Sequence, residues 1–127
     1  MIRILVVEDN DVLREMMHAV LCAADYEVDD ACNGEEALQK LEQSVPDLLL
    51  LDLRMPIMDG YTLIREIRKN PRLAHLPAVA VTAYAMKEDR ERVAQAGFDA
   101  YVTKPIDVAQ FRTFVAGLLR AAPRAAR

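Results

Sequence analysis

The 127-residue sequence has no tryptophan, only two cysteines and no apolar run long enough to cross a membrane. Cys22 and Cys32 fit neither a CxxC motif nor a metal-ligand spacing, so we interpret both as reduced packing thiols. The net charge is −4 and no basic cluster precedes the last few residues, so we do not expect this chain alone to bind nucleic acid. A phosphate-binding P-loop is also missing, which argues against nucleotide hydrolysis.

The sequence has no linker, internal repeat or low-complexity block, and we do not expect a signal peptide. Met1 leads into the short apolar run 4–7 and then two acids, with no small-residue cleavage site, so a cytoplasmic protein without a membrane contact is predicted. The composition is 53% apolar and 28% charged, which is typical of a globular domain. We predict one domain over residues 1–120 and a disordered tail over residues 121–127.

Five strand-like segments alternate with five helical patterns along this domain. The continuous apolar run 48–51 is typical of a parallel strand buried on both faces. Residues 26–29 alternate apolar and charged side chains, which indicates a half-solvated edge strand. Five such units predict an α/β fold, a doubly wound (βα)5 three-layer sandwich of the flavodoxin-like type. Its parallel five-stranded sheet should have the order 2-1-3-4-5.

The fourth predicted helix, from about Lys87 to Ala96, differs from the others. It carries six charged residues from Lys87 to Arg92, so only Val93 and a few alanines can be buried. Gly97 should end it. Because little burial means weak anchoring, we expect this helix to be the most mobile.

Four of the apolar runs end in a residue that can do chemistry. Glu8 and Asp9 follow the first strand, Asp52 the third, Thr82 the fourth and Lys104 the fifth. In an open parallel sheet, the functional crevice lies outside the carboxyl ends of the strands. We therefore expect three carboxylates, a hydroxyl and an ammonium to converge there, which is the composition of a divalent-metal and phosphoryl site.

Four motifs contain these residues: 6–10 (VVEDN), 51–60 (LDLRMPIMDG), 81–83 (VTA) and 104–105 (KP). With these motifs in this order, the chain resembles the receiver domain of bacterial two-component response regulators, as far as about Leu119. The resemblance implies phosphorelay signalling. A histidine kinase or histidine phosphotransfer protein would donate a phosphoryl group, and the resulting change of conformation would control an effector protein. The domain would catalyse only its own phosphoryl transfer and slow autodephosphorylation.

The resemblance also assigns the metal site and the acceptor. It implies that Asp52 is the phosphoacceptor. It implies further that Asp9, Asp52, Glu8 and the backbone carbonyl of Arg54 bind Mg²⁺, with Mn²⁺ as a substitute. Mg²⁺ prefers oxygen ligands, and three clustered acids favour a cation because they repel one another when no cation is present.

The remaining roles concern the phosphoryl oxygens and the switch. The resemblance implies that Lys104 pairs with the phosphoryl oxygens and precedes a cis peptide bond to Pro105. Thr82 would hydrogen-bond another phosphoryl oxygen and vacate space, and Tyr101 would then rotate inward. The loop after the fourth strand and the charged helix 87–96 should shift with it.

Four further residues lead to predictions about lifetime, local backbone and oligomeric state. Arg54 and Tyr84 are bulky at positions that flank the approach of the hydrolytic water in this family, so slow self-dephosphorylation is predicted. Gly60 is predicted to have a positive φ in the loop after the acceptor. Ile106 stands where dimerising DNA-binding relatives usually have an aromatic residue, so a monomer is predicted.

Several alternatives stay open at this point. A flavin-binding domain would need a phosphate loop after the first strand, where the acidic residues 8–11 would repel the cofactor phosphate. An aspartyl-phosphate phosphohydrolase commonly carries a second aspartate where Arg54 stands. The chain could also be a receiver module of a hybrid histidine kinase rather than a stand-alone receiver. The phosphodonor should dock near the active-site loops, and the effector on the face of the last two helices.

Overall fold

The computed structural model describes residues 1–84 and 86–121. Within these residues, five strands alternate with five helices. The strands are Arg3–Val7 (β1), Glu27–Ala31 (β2), Leu48–Asp52 (β3), Ala78–Thr82 (β4) and Ala100–Thr103 (β5). The helices are Asp11–Ala23 (α1), Gly34–Gln43 (α2), Gly60–Lys69 (α3), Lys87–Ala96 (α4) and Val108–Ala121 (α5). Apart from Ala121, which ends α5, the predicted tail lies outside the described residues.

The sheet confirms the predicted topology. All of its strand pairs are parallel, and the strands lie in the order β2-β1-β3-β4-β5. Asp52 pairs with Val81, and Thr82 pairs with Thr103. Because the carboxyl ends of parallel strands meet at one edge of a sheet, the residues that end or follow β1, β3, β4 and β5 come together at that edge.

The central strand β3 is anchored by two apolar layers. Leu49 and Leu51 pack into the core cluster that contains residues of α2 and α3, whereas Leu48 and Leu50 pack into the cluster with α1 and α5. Burial of a leucine side chain contributes roughly 2 kcal/mol of transfer free energy. The backbone that carries the following Asp52 is therefore held from both faces of the sheet.

Side-chain caps fix the beginnings of most helices near this edge. Asn10, Asn33 and Asp59 each accept a hydrogen bond from the backbone N–H three residues later. Asp107 does the same for α5, accepting from the N–H of Gln110 at 2.9 Å. Each such cap satisfies a donor at a helix end and contributes about 1 kcal/mol.

Helix α4 is held differently at its two ends. Its N-cap residue, Met86, makes no side-chain capping bond, and Val93 is the one buried residue among its ten. Its other end confirms the prediction, because Gly97 follows the helix with a φ of 112°. The Arg68 guanidinium donates two hydrogen bonds to the Gly97 carbonyl, at 2.9 and 2.8 Å. The mobility of α4 stays a prediction.

The second strand begins later than its alternating pattern suggested. It runs from Glu27 to Ala31, and it lies at the edge of the sheet as predicted. Glu27 and Asp29 are exposed, whereas Val28 and Asp30 are partly buried. The alternating pattern therefore predicted correctly that β2 lies at the edge of the sheet, but it gave the first and last residues of β2 only approximately.

The prediction of a positive φ at Gly60 is wrong. Gly60 is the first residue of α3, and among the described glycines only Gly97 has a positive φ. In the loop before α3, Ile57 has a φ of 71°. A glycine is needed at position 60 for a different reason: a Cβ there would lie 2.6 Å from the Asp52 carbonyl oxygen and 2.8 Å from Leu53 Cα. The start of α3 therefore rests directly on the backbone at the end of β3.

Candidate functional site

The predicted acidic residues meet at the carboxyl edge of the sheet. Carboxylate oxygens of Glu8, Asp9 and Asp52 all lie within 4.8 Å of one another. Glu8 is completely buried and Asp52 is 2% exposed, whereas Asp9 is exposed. The cluster therefore has a buried floor of two carboxyl groups and one carboxyl group open to solvent.

Lys104 supplies the positive charge of this cluster. Its Nζ lies 3.3 Å from Asp52 Oδ1 and 3.3 Å from Glu8 Oε1. The peptide bond from Lys104 to Pro105 is cis, as expected. One ammonium group thus faces two buried carboxyl groups, so the charges of the site are only partly balanced.

The polar atoms of the Glu8 side chain have unequal surroundings. Oε2 accepts a hydrogen bond from the Asn10 backbone N–H at 3.1 Å. Oε1 is buried and has no hydrogen-bond partner in the described part of the chain. Its contact with the Lys104 ammonium is an ion pair, without hydrogen-bond geometry.

Burial changes the acid–base properties of the cluster. Loss of hydration is the largest cause that raises the pKa of Glu8 from 4.5 to about 7. The neighbouring Asp52 carboxylate acts in the same direction, and the Asn10 hydrogen bond and the Lys104 ammonium oppose it. Burial also raises the pKa of Asp52. For Lys104, burial opposes the charge, but the carboxylates of Asp52 and Glu8 outweigh it and raise the pKa. The two buried carboxyl groups therefore hold a proton more tightly than ordinary acids do.

The loop after β3 contributes Arg54. Its backbone N–H donates to Asp52 Oδ1 at 3.2 Å. Its guanidinium carbon lies 4.3 Å from the ring centroid of Tyr84, in the connection after β4. Arg54 therefore links the loop after β3 to the connection after β4 by a cation–π contact.

The two predicted switch residues lie on adjacent strands. Thr82 is 3% exposed, and its Oγ1 accepts a hydrogen bond from the Tyr84 backbone N–H at 3.0 Å. Tyr101 is half-buried on β5 and packs against the core cluster on the α3 side. The threonine hydroxyl is therefore engaged with its own loop in this conformation.

A cavity of about 710 Å³ lies beside this site and was not predicted. It lies between the loops after β3 and β4, the start of α3 and helix α4. Arg92 of α4 stacks over the Tyr61 ring within it, at 4.2 Å from the ring centroid. Its lining consists of Leu53, Arg54, Met55, Pro56, Asp59, Tyr61, Thr82, Tyr84, Asp89 and Arg92. The site therefore has an open side next to Thr82 and Arg54.

Sequence reasoning also missed two residues that hold Glu8. The Asn10 N–H contacts the Glu8 side chain, and Arg14 donates to the Glu8 backbone carbonyl at 2.9 Å. A signal was available for Arg14. It lies one helical turn after the cap residue Asn10, and side chains of a helix lean toward its N-terminus.

Comparison with known proteins establishes the family. The family model described as the response regulator receiver domain matches residues 4–116, which is most of the chain. The chain belongs to the response regulator receiver domain family. The fold and the two-component role expected from the sequence are thereby confirmed, in preference to the flavin-binding and phosphohydrolase alternatives. A receiver domain is a signalling domain rather than a metabolic enzyme.

Individual relatives agree with this assignment. The polar-differentiation response regulator DivK of Brucella anthropi is 38% identical over 108 residues, covering 85% of this chain and 88% of that protein. The crystal structure of a putative response regulator from Chloroflexus aurantiacus has a TM-score of 0.87 and 36% identity, covering 93% of this chain and 97% of the other. The receiver domain of a sensor histidine kinase from Pseudomonas aeruginosa has a TM-score of 0.82 and 36% identity, covering 93% and 94%. That structure has a magnesium ion coordinated in its active site cleft.

Receiver domains interact with histidine kinases and with downstream effectors. Among the helices that the structure describes, none is long and apolar enough to cross a membrane.

Proposed function

We propose that Asp52 accepts a phosphoryl group from a phosphohistidine on a histidine kinase or histidine phosphotransfer protein. One observation carries the proposal: Asp52 lies at the centre of a cluster with two further carboxyl groups and the Lys104 ammonium. Asp52 ends a strand whose five residues are all buried, so its position is fixed relative to the other charges. A fixed nucleophile with fixed neighbouring charges is the requirement of phosphoryl transfer.

The acidic cluster fits Mg²⁺. A hard divalent cation prefers oxygen ligands, and Glu8, Asp9 and Asp52 offer three carboxylates within reach of one ion. The buried Glu8 Oε1 lacks a hydrogen bond, which is costly for a carboxyl oxygen unless a cation satisfies it. The backbone carbonyl of Arg54 would add a ligand, and Mn²⁺ would substitute for Mg²⁺. When bound, the metal would supply positive charge that offsets the repulsion between carboxylates and phosphoryl oxygens.

Three residues would have separate roles in the phosphoryl transfer. A carboxylate oxygen of Asp52 forms a bond to phosphorus while the phosphorus–nitrogen bond of the donor breaks, and the electron pair returns to the imidazole. Lys104 stabilises the charge on the phosphoryl oxygens, and it already lies 3.3 Å from Asp52 Oδ1. Thr82 donates a hydrogen bond to another phosphoryl oxygen.

Thr82 and Tyr101 would couple this reaction to a change of conformation. The Thr82 hydroxyl now accepts a hydrogen bond from the Tyr84 N–H, so its movement to the phosphoryl group would break that bond and release the turn after β4. The vacated space would admit the half-buried ring of Tyr101. The loop and helix α4 would shift with it, and α4 is weakly held at its beginning.

The phosphorylated state should be long-lived. Hydrolysis by an in-line water returns a receiver to its resting state. The backbone N–H of Arg54 contacts Asp52, and the Arg54 side chain stacks on Tyr84, so this pair would narrow the space from which that water approaches. A cation–π pair at an exposed site contributes about 0.5–1 kcal/mol, so a hydrolysis step that requires the pair to open would be slower by roughly two- to fivefold.

We also propose where partners bind. The phosphodonor would dock on the loops around Asp52, where Val12, Ile57 and Met86 have exposed apolar side chains. The effector would bind the face formed by α4 and α5, and Ile106 supports a monomer.

The implied location is the cytoplasm. By analogy with DivK, the chain would act as a stand-alone receiver. A receiver module of a hybrid kinase is the alternative, since similar structures include receiver domains of histidine kinases.

Incubation with acetyl phosphate and Mg²⁺, followed by intact mass measurement, tests the proposal. The wild type should gain the mass of one phosphoryl group, and Asp52→Asn should gain none. Asp107→Asn is a matched control, because asparagine caps a helix as well as aspartate does and the acidic cluster is untouched. Omission of Mg²⁺ with added chelator should prevent labelling. An unmodified wild type, or equal labelling of Asp52→Asn, would contradict the proposal.

A further inference from the structure

We infer that Arg14 is a positioning residue that holds Glu8 in place for the metal; this inference rests on the proposed function. The Arg14 Nη1 donates to the Glu8 backbone carbonyl at 2.9 Å. Its Nη2 donates to Asp11 Oδ1 at 2.6 Å. The Arg14 side chain is 17% exposed and that of Asp11 is 78% exposed. The guanidinium thus lies between the buried end of β1 and the surface of α1.

The surroundings of Glu8 show why this contact matters. Its backbone N–H donates to the Ala31 carbonyl at 3.0 Å, and its backbone carbonyl accepts from Arg14. Its Oε2 accepts from the Asn10 N–H. Its Oε1 has no hydrogen-bond partner among residues 1–84 and 86–121 and lies 3.3 Å from Lys104 Nζ. The other polar atoms of Glu8 are therefore occupied, and the atom without a hydrogen bond is the one that faces the charged site.

A guanidinium suits this position better than an ammonium does. Its planar fork presents several N–H groups in fixed directions, so it can hold the Glu8 carbonyl and Asp11 at once. A lysine would keep the charge, but its ammonium is a point charge on a flexible stem, and its three N–H donors are not fixed in direction. Arg14 therefore connects the residue just after β1 with the first residue of α1. These two residues, Glu8 and Asp11, flank Asp9, the exposed member of the acidic cluster.

Two possible effects of Arg14 on metal binding have opposite signs. If Arg14 acted only through its positive charge, it would repel a cation, and removal of that charge would tighten Mg²⁺ binding. Its hydrogen bonds hold Glu8, so their loss would loosen a metal ligand and weaken Mg²⁺ binding. Partners that orient metal ligands in this way typically change metal affinity by about 10–100-fold when removed.

Titration calorimetry of Mg²⁺ into the unphosphorylated full chain separates these effects. Arg14→Lys keeps the charge and loses the two-point contact, and Arg14→Gln loses both. We expect the Mg²⁺ dissociation constant to rise roughly tenfold in each variant, at the lower end of the range for such partners. Arg112→Gln removes an exposed charge from α5 and is the matched control, so its dissociation constant should equal that of the wild type.

A second control separates positioning from general loosening. Val115→Ala leaves a cavity in the core under α5, which contributes no ligand to the acidic cluster. It should lower the urea midpoint and leave the Mg²⁺ dissociation constant unchanged. If Arg14→Gln does not fold, Arg14→Lys and Asp11→Asn carry the test, with a smaller loss of affinity expected for Asp11→Asn.

The outcomes distinguish the inference from the function on which it rests. Unchanged or tighter Mg²⁺ binding by Arg14→Lys, or equal weakening by Val115→Ala, would overturn the positioning role while leaving the metal site intact. A wild type that binds no Mg²⁺ would overturn the proposed metal site and the role of Arg14 together.

Discussion

The buried carboxyl group of Glu8 should make the stability of the metal-free protein depend on pH. Its pKa is raised from 4.5 to about 7, first by burial and then by the neighbouring Asp52 carboxylate. A raised pKa means that the folded state binds the proton more tightly than the unfolded state does. The resulting stabilisation is complete below about pH 4.5 and is lost as the pH rises through about 7.

The size of this effect follows from the two pKa values. The interval between 4.5 and about 7 corresponds to about 3 kcal/mol of unfolding free energy. Glu8 has no exposed surface, but the exposed Asp9 brings solvent close to the cluster, so this figure is an upper bound. Burial also raises the pKa of Asp52, which acts in the same direction. Since domains of this size are stable by roughly 5–15 kcal/mol, the loss should be readily measured.

Urea unfolding between pH 5 and pH 8, in the presence of a chelator, tests the prediction. The chain has no tryptophan, so far-ultraviolet circular dichroism is the suitable signal. The wild type should lose about 2–3 kcal/mol over this range, and Glu8→Gln should lose much less. Glu42→Gln, at an exposed glutamate of α2, should follow the wild type. Mg²⁺ should restore stability at pH 8 in the wild type, because binding to the folded state stabilises it. Parallel pH curves for the wild type and Glu8→Gln would refute the reasoning.

Other variants test the packing around the acceptor, its lifetime and the switch. Gly60→Ala should lower stability by about 1–3 kcal/mol, because its Cβ would lie 2.6 Å from a backbone oxygen of β3. Apart from its own stretch of helix, a Cβ at Gly117 would meet no atom of the described residues within 4 Å, so Gly117→Ala should raise stability by up to about 1 kcal/mol. The urea midpoints of the two glycine variants check these values. Arg54→Ala and Tyr84→Ala should each shorten the phosphorylated lifetime, measured as decay of labelled mass; an unchanged rate would show that the stacked pair does not slow hydrolysis. Tyr101→Ala should abolish phosphorylation-dependent partner binding and keep phosphoryl uptake, so unchanged binding would exclude the aromatic switch.

The elements of the fold could be predicted because their signals are local. The continuous run Leu48–Leu51 indicated a strand buried on both faces, and β3 lies in the centre of the sheet. Caps such as Asn33 lie within three residues of the N–H group that they accept from. The strand order came from the number and alternation of the units, which leave few topologies for a domain of this size.

Contacts between distant segments could not be predicted in the same way. Arg68 donates to the carbonyls of Leu76 and Gly97 and forms an ion pair with Asp99, and two of these partners lie about 30 residues away. Gly60 is another example, since its close contact is with the backbone of β3. No periodicity or short motif encodes such pairs, because they depend on how the elements pack after they form.

The candidate site shows the same division. The convergence of Asp9, Asp52 and Lys104 was predictable, because parallel strands bring their carboxyl ends to one edge. The complete burial of Glu8 beside an exposed Asp9 could not be predicted. When two acidic residues follow a strand, the sequence gives no signal for which side chain turns inward. The contact of Arg14 with the Glu8 carbonyl depends on the angle between β1 and α1, which the sequence pattern does not specify.

The structure separates a firmly held half of the site from a weakly held one. Glu8 and Asp52 are buried at the ends of central strands, so their positions should change little when charge is added. The Thr82 hydroxyl, in contrast, is held by the N–H of its own loop, and that loop leads to the end of α4 that has no side-chain cap. The opposite end of α4 is fixed by the hydrogen bonds of Arg68 to Gly97. A phosphoryl group on Asp52 that draws Thr82 away would therefore act on the least constrained end of α4, while the acidic residues that would hold the metal stay in place. In the mechanism that we propose, rigid residues thus hold the reacting group, and a weakly anchored helix transmits the change.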